Sequence, residues 1–380
     1  MRGFRFVHCA DLHLGSRFKD FLPDDPGEAG RSSLESFSAI VDMALAEGAS
    51  FMVISGDVFD RRNALPSTRL FFSKEAERAG IPIFVSKGNH DSERPWDRYI
   101  PFPRNVRVFG AEPETVKIRV NGIDVDVTGV SFASRYEGRN LAAMLRGDPG
   151  TFTVACVHCD VEEADEGHPN AVCSLSDLMD KDVDYWALGH IHRRRVMSER
   201  PYVVYPGNIQ GRGFKESGPK GAYLVSVSDD RVSRLTFVPT QSVQWKEVSV
   251  DSGSVDENEL AEILAEDSSP TDVVSLTVKG KGALADSAFH DAEGLKERLG
   301  RKAHVRIARI ESRTDVPEDG IRSAGESLME GGRDAVEAAV LSHRVIRDHA
   351  HAVGSMTGKE LKAAVRDAVE GLERAMEDRL

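Results

Sequence analysis

The chain has 380 residues, 40% of them hydrophobic and 29% charged, with a net charge of −13. That is the composition of an ordinary soluble globular protein with material for two or three domains. No apolar run approaches the ~20 residues needed to cross a bilayer, and residues 1–7 enter a strand without a signal-peptide core, so a cytoplasmic protein is expected. The acidic total argues against a globally nucleic-acid-binding surface. The excess is uneven, however. Residues 251–380 carry 27 acidic and 18 basic side chains, a net of −9, which leaves −4 for residues 1–250. Bound metal would neutralise several of those N-terminal acids, so that part can still present a locally positive face to phosphate.

In chain order, Phe6-Val7-His8-Cys9-Ala10 reads as a strand, followed by a Pro/Gly loop containing Pro23, Pro26, Gly27 and Gly30. Leu34, Phe37, Ile40, Val41, Ala44 and Leu45 then recur at helical spacing. Residues 51–55 form a buried strand, 67–79 a helix with Leu70, Phe71 and Ala76 on one side, and 81–85 the next strand. Strand–helix alternation over the first ~225 residues predicts an α/β layered domain, with sites just past the strand ends. Two strand-like runs flank Asp229-Asp230 as a hairpin. A small α+β module follows: strand 243–250, helix 256–266, strand 272–279, helix 286–299 and strand 304–310. The domains are accordingly expected at 1–240 and 241–315, with a helical C-terminal segment at 316–380 whose incomplete apolar stripes pack on their own domain or dock a partner. Cys156 and Cys159 have C-x-x-C spacing, but no second such pair exists, and packed reduced thiols are expected rather than a redox or zinc site.

Five short blocks carry the chemistry: Asp11-Leu12-His13, Gly56-Asp57, Gly88-Asn89-His90-Asp91, His158, and Gly189-His190-Ile191-His192. Each follows an apolar, strand-like run. A mixed Asp/His set suits Mn, Fe or Zn, whereas an all-oxygen set would suit Mg or Ca, and a thiolate set structural Zn. In the D-x-H block, alternation along an extended segment aims both side chains the same way, so both can grip one ion. The spacing recurs in His190-x-His192. An aspartate between two sites can bridge ions ~3.5–4 Å apart, a clamp suited to hydrolysing a phosphate ester. A histidine beside a ligand, as His90 is beside Asn89, is placed to protonate the leaving oxygen. A lone D-x-H or G-D would carry no weight. Five blocks in this order make chance improbable.

The pattern resembles the calcineurin-like metallophosphoesterase superfamily, and within it the Mre11/SbcD group of DNA repair nucleases, especially the YhaO-like bacterial branch. The resemblance is carried by residues 6–15, by Ser55-Gly56-Asp57-Val58-Phe59-Asp60, by residues 204–212 and by Gly218-Pro219-Lys220-Gly221. It is strong over residues 1–240, rests on element order alone in the module, and hardly touches the tail. It implies a layered fold, a β-sandwich flanked by helices, with a smaller α+β capping domain. It also implies two divalent metal ions, Mn2+ first with Fe or Zn as alternatives. Asp11, His13 and His192 would hold the first ion, Asn89, His158 and His190 the second, and Asp57 would bridge them. His90 would be the acid or transition-state stabiliser. Asp60 would orient His90 or merely cap the following turn, and Asp91 would be a structural acceptor. Substrate contacts would come from Arg17, Arg61, Arg193 and Arg212, among the arginines clustered beside the ligand loops. Gly213 departs from the more polar residue expected there.

The leading expectation is therefore a DNA phosphodiesterase, dimeric, with no membrane association and working with an SbcC/Rad50-like ATPase. The five blocks fit a phosphatase or cyclic-nucleotide phosphodiesterase of the same superfamily equally well. A non-catalytic scaffold is disfavoured, because all seven ligand positions and His90 are present.

Overall fold

The computed structural model describes residues 3–20, 28–60, 65–91, 101–162 and 170–313. The strands in chain order are β1 (Gly3–Cys9), β2 (Phe51–Ser55), β3 (Ile83–Ser86), β4 (Val106–Val108), β5 (Glu114–Val120), β6 (Ile123–Val130), β7 (Phe152–His158), β8 (Tyr185–Gly189), β9 (Arg195–Glu199), β10 (Tyr202–Tyr205), β11 (Gly221–Ser228) and β12 (Arg231–Pro239). They form two six-stranded sheets, ordered β12-β11-β1-β2-β3-β4 and β5-β6-β7-β8-β10-β9. Strands β1 to β4 run parallel, as do β6, β7, β8 and β10. Parallel neighbours need crossovers, and α1 (Glu28–Ala46) and α2 (Pro66–Ala79) supply two of them.

The continuous apolar runs of the parallel strands follow from burial on both faces. In β1 the period-two alternation sends Phe4 and Phe6 between the sheets, and Val7 and Cys9 towards the helices. The inter-sheet layer is aromatic. The Phe6 ring stacks on Phe51 at 4.9 Å and meets Tyr185 edge-on at 5.2 Å. Phe37 of α1 and Phe72 of α2 cover the outer face of the first sheet. Leu141 and Leu178, beside and within short 3-10 turns, cover the outer face of the second, against Trp186 and Leu188. The result is the helix-flanked β-sandwich anticipated above.

Local chemistry sets the element ends. Pro66 occupies the first turn of α2, where its missing N–H costs nothing, and Gly80 ends the helix in the left-handed region at φ 64°. Asp229 and Asp230 both have positive φ, 51° and 56°, as a two-residue turn with the strands' own twist requires.

Beyond β12, β13 (Trp245–Asp251), β14 (Val273–Lys279) and β15 (Arg306–Arg313) form a third sheet. Helices α3 (Glu257–Asp267), α4 (Ala283–His290) and α5 (Ala292–Ala303) pack on it through Leu260 and Leu264, Leu284, and Leu295 and Leu299 respectively. The single helix expected over 286–299 is two helices. Asp291 leaves helical geometry and its carboxylate accepts the Gly294 N–H at 3.1 Å, capping α5. Trp245 ties this module to the sandwich: its ring meets Phe18 at 5.2 Å and Phe214 at 5.0 Å, and its Nε1–H donates to the Gly211 carbonyl at 2.8 Å.

The described residues up to Val278, with Gly282–Ser312, form one compact unit. The helices expected in the tail lie outside the described residues. No described helix is long and apolar enough to cross a membrane.

All four cysteines are buried thiols. The C-x-x-C residues diverge: Cys156 faces the inter-sheet layer, 3.4 Å from the Ser86 hydroxyl, while Cys159 lies 3.9 Å from Cys173 under the second sheet. His8 is a core residue, its Nδ1 3.0 Å from the Tyr185 hydroxyl, and burial pushes its pKa down to about 3.

The loop after β6 is held by Glu137, whose carboxylate accepts from Arg139 Nε and Nη2 at 2.9 and 2.8 Å. Those bonds outweigh the opposing effect of partial burial and pull the Glu137 pKa from 4.5 down to about 2. A depressed carboxylate stabilises the fold above its unfolded pKa and loses that contribution as pH falls through the folded value. Between pH 4.5 and 2, Glu137→Gln is therefore expected to flatten the acid-denaturation profile by on the order of 2 kcal/mol, measured by urea titration at stepped pH. An unchanged profile would remove this pair from the account of acid stability.

Candidate metal centre

All five blocks arrive at one end of the sandwich. Asp11 and His13 follow β1, Asp57 follows β2, Asn89 and His90 follow β3, His158 ends β7, and His190 and His192 follow β8. Because these strands are parallel neighbours within their sheets, their carboxyl ends lie together, where open α/β sheets place their sites.

The side chains converge closely. His13 Nε2 lies 3.0 Å from His192 Nε2 and 3.7 Å from Asp57 Oδ2. His158 Nε2 lies 3.1 Å from His190 Nδ1, 3.2 Å from Asn89 Oδ1 and 3.7 Å from Asp57 Oδ2. His192 Nε2 is 3.9 Å from Asp11 Oδ1. Three overlapping sets, Asp11–His13–His192, Asp11–Asp57–His158 and His13–Asp57–His90, each bring ligand atoms within 4.8 Å of one another. Asp57 stands in two of them, between the His13–His192 group and the His158–His190–Asn89 group.

The donor set fits divalent cations. Pairs of imidazole nitrogens face each other, and His13 Nδ1 is buried without a partner. Burial and the neighbouring Asp57 charge raise the Asp11 pKa, while burial and the Arg212 charge lower that of His13. Buried carboxylates and neutral imidazoles pointing at common positions are what a bound cation requires.

Partners behind the ligands choose which nitrogen is free. His158 Nδ1 donates to the Ser55 carbonyl at 2.9 Å, leaving Nε2 for the centre. Burial outweighs the nearby carboxylates and lowers the His158 pKa to about 4. His190 turns Nε2 to Asp160 at 3.4 Å and Nδ1 inward; burial pushes its pKa down, but Asp160 together with the Asp57 and Asp11 charges more than offsets that and the net shift is upward. His192 Nδ1 lies 3.0 Å from Glu216 Oε1. Asp160 and Glu216 escaped the sequence reading: Asp160 lies two residues past His158 but serves His190, thirty positions on, and Glu216 follows no ligand block. Glu216 lies between the two stretches, 204–212 and 218–221, that carried the resemblance.

The backbone is unusual here. Asp11, His13, Asp57 and His190 all have positive φ, at 50°, 40°, 52° and 99°. Such left-handed, non-glycine residues cost on the order of 1 kcal/mol or more each and cluster at functional sites. The extended geometry expected for the D-x-H block is thus not what aims its side chains. Nor does i,i+2 spacing put His190 and His192 together: the first faces His158 and the second His13. Asp91 behaves as the expected structural acceptor. Its carboxylate receives the N–H groups of Val58, Phe59 and Gly88 at 3.1, 3.2 and 3.1 Å, clamping two ligand loops together.

His90 sits at the edge of the cluster, about one-third exposed, with Nδ1 3.7 Å from Asp60 Oδ1, beyond hydrogen-bond reach. Its ring meets His13 at 4.8 Å, and its backbone N–H donates to Asp57 Oδ1 at 2.9 Å. Of the arginines, Arg17 and Arg193 are exposed beside the ligand loops. Arg61 lies outside the described residues. Arg212 is held inward by Glu216, at 2.8 Å from Nη2 to Oε1.

A model of the family described as "Calcineurin-like phosphoesterase" matches residues 4–194, just over half of the chain. The chain belongs to the calcineurin-like phosphoesterase family. It is thus a metallophosphoesterase, a metal-dependent hydrolase by family. The uncharacterized metallophosphoesterase YhaO of Bacillus subtilis is 36% identical over 256 residues, 65% of this chain and 62% of that protein. The DNA double-strand break repair protein Mre11 of Archaeoglobus fulgidus is 27% identical over 239 residues, 56% of this chain and 52% of that protein. The matches therefore span only half to three-fifths of these relatives' lengths. Among solved structures, a dimetal phosphatase from Danio rerio matches at 12% identity and a TM-score of 0.40, covering 60% of this chain and 93% of that one.

Gly88 exposes how tightly the centre is built. A Cβ there would lie 2.2 Å from Asp57 Oδ1 and 2.7 Å from His158 Nε2, so the loop's approach requires glycine. Gly88→Ala is expected to lower hydrolysis of a small chromogenic phosphodiester on the order of 100-fold, with the far-ultraviolet circular dichroism unchanged. Wild-type turnover would show that the two residues are not held where the structure places them.

Proposed function

We propose that the chain is a two-metal phosphodiesterase acting on DNA, a nuclease subunit of the Mre11/SbcD kind. The observation carrying this reading is the convergence of the seven candidate ligands and His90 at one end of the sandwich, with Asp57 lying between two groups; the resemblance assigns His90 a role other than ligand. In it, Asp11, His13 and His192 would hold one ion, Asn89, His158 and His190 would hold the other, and Asp57 would serve both. When bound, two such ions would supply positive charge for the phosphate oxygens and a water of lowered pKa. The Asp/His/Asn set suits Mn, Fe or Zn, and the resemblance to the Mre11/SbcD group puts Mn2+ first.

The rest falls to the chain's own residues. His90 stands beside the ligands rather than among the seven, partly open to solvent, and protonates the leaving oxygen. Asp60, 3.7 Å from His90 Nδ1, orients that imidazole once the ring closes on it. Exposed Arg17 and Arg193 hold the DNA backbone without reading sequence, with Arg61 as a further candidate. Arg212, turned onto Glu216, serves the centre rather than the rim.

DNA as substrate rests on the likeness to relatives named as double-strand break repair proteins, and on residues 204–212 and 218–221, which resemble the YhaO-like branch of the same group. With it go homodimer formation, an SbcC/Rad50-like ATPase partner, a cytoplasmic setting, and the three domains at 1–240, 241–315 and 316–380, the second capping the active-site face.

With Mn2+, the purified chain is expected to cut single- or double-stranded DNA, chelation to abolish the activity, and His90→Ala to lower it ~10²–10⁴-fold without loss of metal binding. Intact DNA alongside rapid cleavage of a small phosphodiester would overturn the nuclease reading in favour of a phosphatase or cyclic-nucleotide phosphodiesterase. A wild-type rate in His90→Ala would remove His90 as the acid.

A further inference from the structure

Glu216 makes more hydrogen bonds to the neighbourhood of one ligand than any sequence motif suggested. It ends the short 3-10 turn Phe214–Glu216 and, like Arg212, is largely but not fully buried, its side chain 12% exposed. Oε1 receives Arg212 Nη2 at 2.8 Å and lies 3.0 Å from His192 Nδ1. Oε2 receives Asn208 Nδ2 and the Arg212 backbone N–H, each at 2.9 Å, and Arg212 Nε at 3.3 Å. Every neighbour other than the imidazole can only donate, so the carboxylate is ionised and its remaining bond must also come from a donor.

That settles a contest at His192. Arg212 Nη2 also lies 3.1 Å from His192 Nδ1. Were Nδ1 to accept from Arg212, the imidazole proton would sit on Nε2, the nitrogen 3.0 Å from His13 Nε2 and 3.9 Å from Asp11 Oδ1. A protonated Nε2 cannot bind a cation. With Nδ1–H donating to Glu216, Nε2 presents its lone pair to that group. The Lys220 ammonium, donating to the His192 carbonyl at 2.9 Å, and Asn208 fix the same loop from behind.

We propose that Glu216 is a positioning residue for the His13–His192 half of the centre: it fixes the His192 tautomer, and Arg212 holds Glu216 ionised and in place. This rests on the two-ion reading above, and it concerns one ion of the two. Carboxylate partners of ligating histidines change metal affinity ~10–100-fold when removed.

The test is Mn2+ titration of the full chain by calorimetry, with bound Mn2+ counted by electron paramagnetic resonance, for wild type, Glu216→Ala, Glu216→Gln, His192→Ala and the Glu216→Ala/His192→Ala pair. The expected result is one ion bound as in wild type and the other ~10–100-fold weaker in Glu216→Ala, less so in Glu216→Gln, which keeps an acceptor oxygen. The double variant should bind no more weakly than His192→Ala, because the two residues act on one ligand. Two ions at wild-type affinity in both Glu216 variants, or additive losses in the double variant, would overturn the assignment. A wild-type chain that binds no Mn2+ at all would overturn the two-ion reading itself, a distinguishable failure.

Discussion

Asp11, Asp57 and His158 are buried with ligand atoms inside 4.8 Å of one another, and four more histidines crowd the same end of the sandwich. Two carboxylates so placed repel each other, and burial deprives both of water. Among the described residues the nearby cations are turned to other partners, Arg212 to Glu216 and Lys220 to the His192 carbonyl. The centre is therefore an electrostatic arrangement completed from outside the chain, and the fold's task is to hold an unfavourable constellation in place until it is.

The sandwich does so by rigidity. The strands feeding the site are buried on both faces, and the aromatic layer of Phe6, Phe51, Phe84 and Tyr185 locks the sheets together. The loops are then bent sharply at the strand ends. Four candidate ligands adopt left-handed backbone conformations, and Gly56, at φ 91°, lets its loop pass where a Cβ would sit 2.2 Å from His158 Nδ1. Asp91 offsets part of that cost by gathering three backbone N–H groups from two loops. On the far side, Trp245 ties the module to Gly211 and Phe214, in the loop that carries Arg212 and Glu216. The module's packing and the His192 environment are in this way structurally continuous.

Much of this was legible from residue order. Apolar strand runs ending in Asp or His announce parallel strands and sites at their carboxyl ends, because both properties are local. The Asp229-Asp230 hairpin and the α2 boundaries were legible for the same reason. What was not legible depends on tertiary approach. Asp160 and Glu216 reach their histidines from 30 and 24 positions away. The left-handed bends at Asp11 and His13 are imposed by the neighbouring loop, whose carbonyls at Gly56 and Asp57 receive their N–H groups. Local alternation therefore aimed the right side chains for the wrong reason. The break between α4 and α5 turns on Asp291 acting as a cap, which an unbroken apolar stripe conceals. Arg212 looked like a rim contact because nothing in its own segment reveals a buried carboxylate partner four residues on.

The most direct measurement is the anomalous scattering of crystals grown with Mn2+. The account predicts two peaks ~3.5–4 Å apart, both touching Asp57, one beside His13 and His192 and the other beside His158 and His190. A single peak, or two that do not share Asp57, would contradict it.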